Sequence, residues 1–251
     1  MSRVGFLGCG KIGMSMLEDL VSEGVHTVSF VQDPFWHAES FPDIPSVSES
    51  CEEYLQSTDL VVECATADVL KKNIDGILKH ADLLTFSVTA FADDSFCLHV
   101  RELVKEYGRR VYLPHGAILG VDGIADGRGV IREITIETVK NPKSLGRTDT
   151  ARTVLFDGRT REACGLFPRN VNVHATVALA GIGFDRTRSR IISDPAVSTN
   201  SHHIKVAGDG IRFEIQISSE AGGGVTGKYT PYSAIASLHR ILDDKSGIHF
   251  V

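Results

Sequence analysis

Positive charge is in deficit along this chain: 26 lysines and arginines face 32 aspartates and glutamates, a formal net charge of −6. With no surplus of cations to neutralise phosphates, the balance argues against a general nucleic-acid binder. Paired cysteines are missing too. Cys9, Cys51, Cys64, Cys97 and Cys164 are odd in number, widely spread and contain no CxxC pair. That pattern fits reduced thiols, hence a cytoplasmic location, and not a disulfide framework. Every apolar run is broken by Gly, His or charge before it could span a bilayer. Internal repeats and low-complexity stretches are absent as well, so neither a solenoid nor a linker is expected. What remains is 251 residues, 42% hydrophobic and 23% charged, enough for one large domain or two smaller ones without covalent staples.

The hydrophobic rhythm divides the chain. Residues 4–7 form a short apolar run, and Gly8-Cys9-Gly10-Lys11-Ile12-Gly13 follows. Ile12, Met16, Leu17, Leu20 and Val21 then recur at helical spacing until Gly24. Strands at 27–31, 60–63, 83–88 and 110–113 alternate with helices at 69–78 and 96–107. This predicts an α/β Rossmann domain over residues 1–114, a doubly wound parallel sheet. The rhythm changes after Pro114. Strands at 130–139, 153–156, 188–193, 203–207 and 212–218, with helices at 160–166 and 171–179, predict an α+β domain over residues 115–230. A final helix within 231–251 is expected to pack back on the first domain.

GxGxxG is a weak signal alone. Here it follows a strand, opens a helix and is trailed about 20 residues on by Asp33, as a dinucleotide fingerprint requires. Gly8 would permit the tight turn, Gly10 the approach of a pyrophosphate, and Gly13 the packing of helix on strand. The cofactor set expected is Gly8, Cys9, Gly10, Lys11, Ile12 and Gly13, with Asp33 on the ribose hydroxyls and Ala65 and Asn172 completing it. Asp33 repels a 2′-phosphate, and Pro34-Phe35 offers no arginine, so NAD is expected over NADP. Cys9 reads as a spacer. A glycine turn without ligand is the bland alternative. A second motif, Gly222-Gly223-Gly224-Val225-Thr226-Gly227-Lys228, matches GxxxxGK, but Tyr229 stands where Ser or Thr must bind magnesium. No nucleoside-triphosphate site is expected there.

The second half carries more specific segments. In order come Gly116-Ala117-Ile118-Leu119-Gly120-Val121-Asp122, Phe167-Pro168-Arg169-Asn170-Val171-Asn172-Val173, Ala178-Leu179-Ala180-Gly181, Asp194-Pro195 and Asn200-Ser201-His202. Together they resemble the L-aspartate dehydrogenase family over nearly the whole chain. The resemblance implies a Rossmann domain joined to an α+β domain for catalysis and oligomerisation, and a homodimer. It also implies reversible NAD(P)-dependent deamination of L-aspartate to iminosuccinate, then oxaloacetate and ammonia, with iminosuccinate feeding NAD biosynthesis in some organisms. The family's catalytic histidine falls on His202, and family lysines fall on Lys140 and Lys228.

The chemistry suits these residue types. As hydride leaves the substrate Cα, a group titrating near neutrality must take the ammonium proton, and histidine is the natural choice. Two carboxylates need cations and N–H donors, for which His115, Lys140, Asn172, Asn200 and Lys228 are the candidates. Blander roles stay open. Asn170 and Asn172 fit helix caps, Lys140 a solvated strand end, and Asp194 either a ring-orienting or a turn-capping group. His203 alternates to the opposite face of a strand. No metal is expected, because His115, His174 and His202 show no known ligand spacing.

Four segments depart from the family pattern. Pro114-His115-Gly116-Ala117 replaces Pro-Ser-Gly-Ala, and Asn172-Val173-His174-Ala175 replaces Asn-Val-Ala-Ala. Val139 stands where an arginine precedes the family lysine, and Thr226-Gly227-Lys228-Tyr229-Thr230 replaces Asn-Pro-Lys-Thr-Ser. A changed pocket alters which side chain is accepted. A dehydrogenase or imine reductase for another small amino acid is therefore the first alternative, and a non-catalytic NAD-binding regulatory protein the second.

Overall fold

The computed structural model describes residues 1–36, 38–48, 52–220 and 227–243. Most of the glycine run at 222–228, Cys51 and the end of the expected last helix lie outside the described residues. The chain forms two compact units, one of Met1–Pro114 with the described residues from Pro231 onward, the other of His115–Thr230.

The first unit contains β1 (Arg3–Leu7), α1 (Lys11–Glu23), β2 (Thr27–Gln32), α2 (Glu52–Gln56), β3 (Leu60–Glu63), α3 (Ala67–His80), β4 (Asp82–Thr85), α4 (Asp94–Tyr107) and β5 (Val111–Tyr112). Its strands are all parallel, in the order β2-β1-β3-β4-β5. Every residue of β3 is buried, because helices cover both faces of such a sheet and leave no polar side. Two of the helices start where side chains satisfy their free amides. Thr66 accepts from Val69 N–H ahead of α3, and Asp93 accepts from Ser95 and Phe96 N–H ahead of α4.

The strand order reverses beside β1, so its neighbours β2 and β3 connect in opposite directions. The carboxyl ends of β1 and β3 flank this switch point, the place where open α/β sheets bind dinucleotides. Two elements differ from expectation. The strand expected over 83–88 ends at Thr85, because the Ser87 N–H and hydroxyl donate to the Glu63 carboxylate and not to a ladder. Helix α2 is five residues long, too short for a helical period to register.

The second unit contains α5 (Val121–Asp126), β6 (Ile131–Lys140), β7 (Thr153–Arg159), α6 (Thr160–Leu166), α7 (Asn172–Ala180), β8 (Thr187–Ser193), β9 (Thr199–Gly208) and β10 (Ile211–Glu220). Its sheet runs β10-β9-β6-β8-β7, with β6 and β8 parallel and the other pairs antiparallel. One face is covered, and there Ile134, Ile136, Ile204 and Val206 pack with Ile118, Ile124 and Val177. The other face carries charged pairs, including Arg188–Asp157 at 2.7 Å and Arg190–Glu137 at 3.0 Å. Alternation along each strand therefore decides which side chains meet the interior.

Helix α8 (Tyr229–Leu242) completes the described chain. Its Ala234 and Leu238 are wholly buried in the first unit's core with Phe6, Met16 and Leu20. A buried leucine contributes about 2 kcal/mol, so α8 is part of that core and not an appendage. Among the described residues, no helix is long and apolar enough to cross a membrane.

Candidate functional site

The glycine turn at the carboxyl end of β1 is built for close approach. Gly8 has φ +85°, and a Cβ there would lie 2.7 Å from the Ala65 backbone nitrogen. A Cβ on Gly13 would lie 2.5 Å from the Gly8 carbonyl oxygen, so helix α1 packs this tightly only with glycine there. At Gly10 a Cβ would meet nothing within 4 Å, leaving the backbone open to a pyrophosphate. Lys11 and Ile12 follow as the first residues of α1, whose leading amides supply anion donors.

Asp33 sits one residue past β2. Its Oδ2 accepts from Cys9 N–H at 2.6 Å and its Oδ1 from Phe35 N–H at 2.8 Å. Both oxygens are fixed, and each keeps a lone pair for a ribose hydroxyl. The Cys9 thiol is pushed up to about 12, first by burial and then by the charges of Asp33 and Glu18. It stays a thiol, in keeping with a spacer role.

Glu63 supports this turn from beneath. It is wholly buried at the end of β3, and its carboxylate accepts from Ala65 N–H at 2.8 Å, the Ser87 hydroxyl at 2.9 Å and the Thr85 hydroxyl. Burial pushes its pKa up, against the pull of these donors. The sequence signal was available, since a carboxylate closing the apolar run Leu60-Val61-Val62 must be satisfied internally.

In the second unit the covered sheet face changes character along its length. On β6 the inward residues run Ile134, Ile136, Thr138, Lys140, and on antiparallel β9 they run Val206, Ile204, His202, Asn200. Register sets Thr138 directly opposite His202, next to Ile136 opposite Ile204. The apolar end thus gives way to a buried polar end in which Lys140, Asn200 and His202 are each about 5% exposed or less. His203 lies on the other face, 2.7 Å from Glu214.

A continuous series of hydrogen bonds runs through this polar end. His202 Nδ1 is 2.8 Å from Thr138 Oγ1, which is 2.7 Å from His174 Nε2 on α7. His174 Nδ1 is 2.9 Å from Ser189 Oγ on β8, and Ser189 Oγ is 2.7 Å from Thr160 Oγ1 at the start of α6. Thr160 donates to the Thr187 carbonyl at 3.0 Å. Burial, then the Lys140 charge, pushes His202 down to about 3. Burial pushes His174 well below its ordinary value, with His202 and Lys140 adding to the effect, and it pushes Lys140 down to about 8. Both rings are neutral at physiological pH, and the lysine is largely charged.

The other candidates are more dispersed. Lys228 is exposed and paired with Glu220 at 2.5 Å, outside this buried polar end. His115 opens the second unit, and its Nδ1 is buried without a hydrogen-bond partner among the described residues. Asn172 opens α7, whose cap position is Val171 and carries no side-chain cap. Asp194 caps a turn, accepting from Ala196 N–H at 2.9 Å and from Arg152 at 2.8 Å, so it does not orient a ring. Both His174 nitrogens are engaged by hydroxyls, which leaves no lone pair for a metal.

Sequence reasoning missed Thr138, Ser189 and Thr160 as members of the site. Threonine and serine are ordinary in strands and at helix starts, and only the cross-strand register brings these hydroxyls between the two rings.

Residues 122–241 match the family model for the C-terminal domain of aspartate dehydrogenase, and residues 8–114 match that for the NAD-binding domain of homoserine dehydrogenase. L-aspartate dehydrogenase of Methanococcoides burtonii is 33% identical, with 97% of this chain and 98% of that protein covered. The Thermotoga maritima enzyme of the same name is 31% identical, with 94% and 95% covered. A crystal structure of aspartate dehydrogenase from Thermotoga maritima superposes over the full length of both chains with a TM-score of 0.80 at 29% identity. A Thermus thermophilus dehydrogenase crystallised with NAD and UDP-GlcNAcA, 14% identical with a TM-score of 0.56, shares the fold alone.

Proposed function

The chain belongs to the L-aspartate dehydrogenase family, as its full-length relatives at 33% and 31% identity show, and on that premise we propose that it oxidises L-aspartate with NAD. The observation that carries this reading is a buried His202 sharing one sheet face with a buried Lys140. A base and a cation side by side are what a zwitterionic dicarboxylate requires. The NAD(P)-binding domain holds the cofactor through the Gly8–Gly13 turn and Asp33, and the bound cofactor supplies the hydride acceptor for the substrate Cα.

The protein's own residues do the rest. Lys140 holds a substrate carboxylate, and Asn200, its neighbour on the inward face, adds neutral hydrogen bonds. The negative charges of the substrate raise the basicity of His202 in the complex, offsetting the effect of burial. His202 then accepts a proton from the substrate ammonium. The freed nitrogen lone pair forms the C=N bond as hydride departs, giving iminosuccinate with its nitrogen protonated. The ring passes that proton to solvent, takes one from the water that attacks the imine carbon, and returns it to the nitrogen of the resulting carbinolamine, so that ammonia leaves as the hydroxyl loses its proton and oxaloacetate forms. Asp33 supports NAD over NADP, since a fixed carboxylate repels a 2′-phosphate. The family resemblance supports a homodimer.

An absorbance assay tests the substrate and the cofactor together. NADH is expected to form with L-aspartate at alkaline pH and not with D-aspartate, and faster with NAD than with NADP. Turnover of another amino acid with none of L-aspartate would transfer the same apparatus to a different substrate. Cofactor binding with no turnover of any amino acid would leave a regulatory protein.

A further inference from the structure

The buried hydrogen bonds around His202 have a direction, and the direction comes from one end. The Thr187 carbonyl can only accept, so Thr160 spends its single hydroxyl proton there. Thr160 Oγ1 must then accept from Ser189, whose proton is thereby used. Ser189 Oγ in turn must accept from His174 Nδ1–H. A neutral imidazole carries one N–H, so His174 Nε2 is bare and accepts the Thr138 hydroxyl proton. Thr138 has no second proton to give, so the remaining contact runs from His202 Nδ1–H to Thr138 Oγ1. That leaves His202 Nε2 with its lone pair. Reversing the series would put the proton on His202 Nε2 and strip the Thr187 carbonyl of its Thr160 donor.

We infer that His174 is a positioning residue which, through Thr138, fixes the tautomer of His202 with its proton on Nδ1 and a bare Nε2. The inference rests on the reading of His202 as proton acceptor and deepens it. A base needs its lone pair presented before substrate arrives, and a ring in the opposite tautomer offers a proton where a vacancy is required. His174 stands at one of the departures noted in the sequence, and its ring is enclosed on α7 with Ser189 and Thr138 as its two partners. Its role is therefore internal to the site and needs no contact with substrate.

Full-length enzyme labelled with 15N in its histidine rings tests this directly, with His202→Ala and His174→Ala spectra assigning the two rings. Wild-type enzyme is expected to show both rings neutral, each protonated on Nδ1 and bare on Nε2. In His174→Ala an Nε2-protonated fraction of His202 should appear, with kcat lowered about tenfold and KM for L-aspartate held within about threefold. Thr138→Val should do the same or more, and Thr138→Ser, which keeps the hydroxyl, should restore both the tautomer and kcat. A wild-type His202 protonated on Nε2, or a tautomer unmoved by His174→Ala and Thr138→Val alike, overturns the inference. Failure of the base reading looks different: His202→Ala would then turn over normally, whatever tautomer the wild-type ring holds.

Discussion

His202→Ala is expected to lower kcat for L-aspartate oxidation by at least about 10²-fold, the usual scale of general acid–base catalysis, while NAD binds as before. The two effects separate because the cofactor turn and Asp33 belong to the first unit and His202 to the second. Neither neighbour can take over the proton. His174 has both ring nitrogens engaged by hydroxyls, and Lys140, at about 8, is mostly protonated at pH 7, where the rates of the two proteins are to be compared. Removing the ring also leaves the Thr138 hydroxyl short of a partner in a buried site, a cost of about 1–3 kcal/mol. The assay therefore belongs well below the variant's Tm. Steady-state rates paired with NAD titration by fluorescence check the prediction, and unchanged turnover would remove His202 from the mechanism.

Lys140→Met is expected to act on binding. Loss of a charged hydrogen bond to a carboxylate is worth about 1.5–3 kcal/mol, which corresponds to a rise of about 10- to 150-fold in KM for L-aspartate. Stability should move the other way or not at all, because methionine fills a similar space without a buried charge. The pH dependence fixes the sign. In the unfolded chain a lysine titrates near 10.5, and burial brings Lys140 down to about 8 in the fold. Between those values the unfolded chain binds more protons, so the Lys140 contribution to stability increases as pH rises from 8 to 10.5. Melts of both proteins at pH 7 and pH 10 should show the Tm advantage of the variant shrinking with pH. An unaltered KM would show that Lys140 does not hold the substrate.

The Rossmann half is legible because its physics leaves little choice. Strands buried on both faces read as unbroken apolar runs, and the turn at Gly8 and Gly13 admits no side chain. The second half is legible as strands because Ile134-Ile136 and Ile204-Val206 alternate. The same alternation carries Lys140, Asn200 and His202 to one face. The partners of those residues are not legible. Thr138 gains its meaning from lying opposite His202, and Ser189 from lying within reach of α7. Register and helix placement settle both, and neither is written locally in the chain. In the sequence His174 stands out as a departure from a family pattern and as one of three histidines without ligand spacing, and neither feature points to its buried hydrogen bonds. Lys228 matches a family lysine in the sequence, and in the structure it is exposed and paired with Glu220.

The most direct measurement is a crystal structure of the enzyme with NAD and L-malate, whose hydroxyl occupies the place of the substrate amine. One malate carboxylate is expected on Lys140 Nζ and the hydroxyl within about 2.6–3.2 Å of His202 Nε2. Malate bound away from Lys140, with the His202 ring still enclosed by protein alone, would contradict that arrangement.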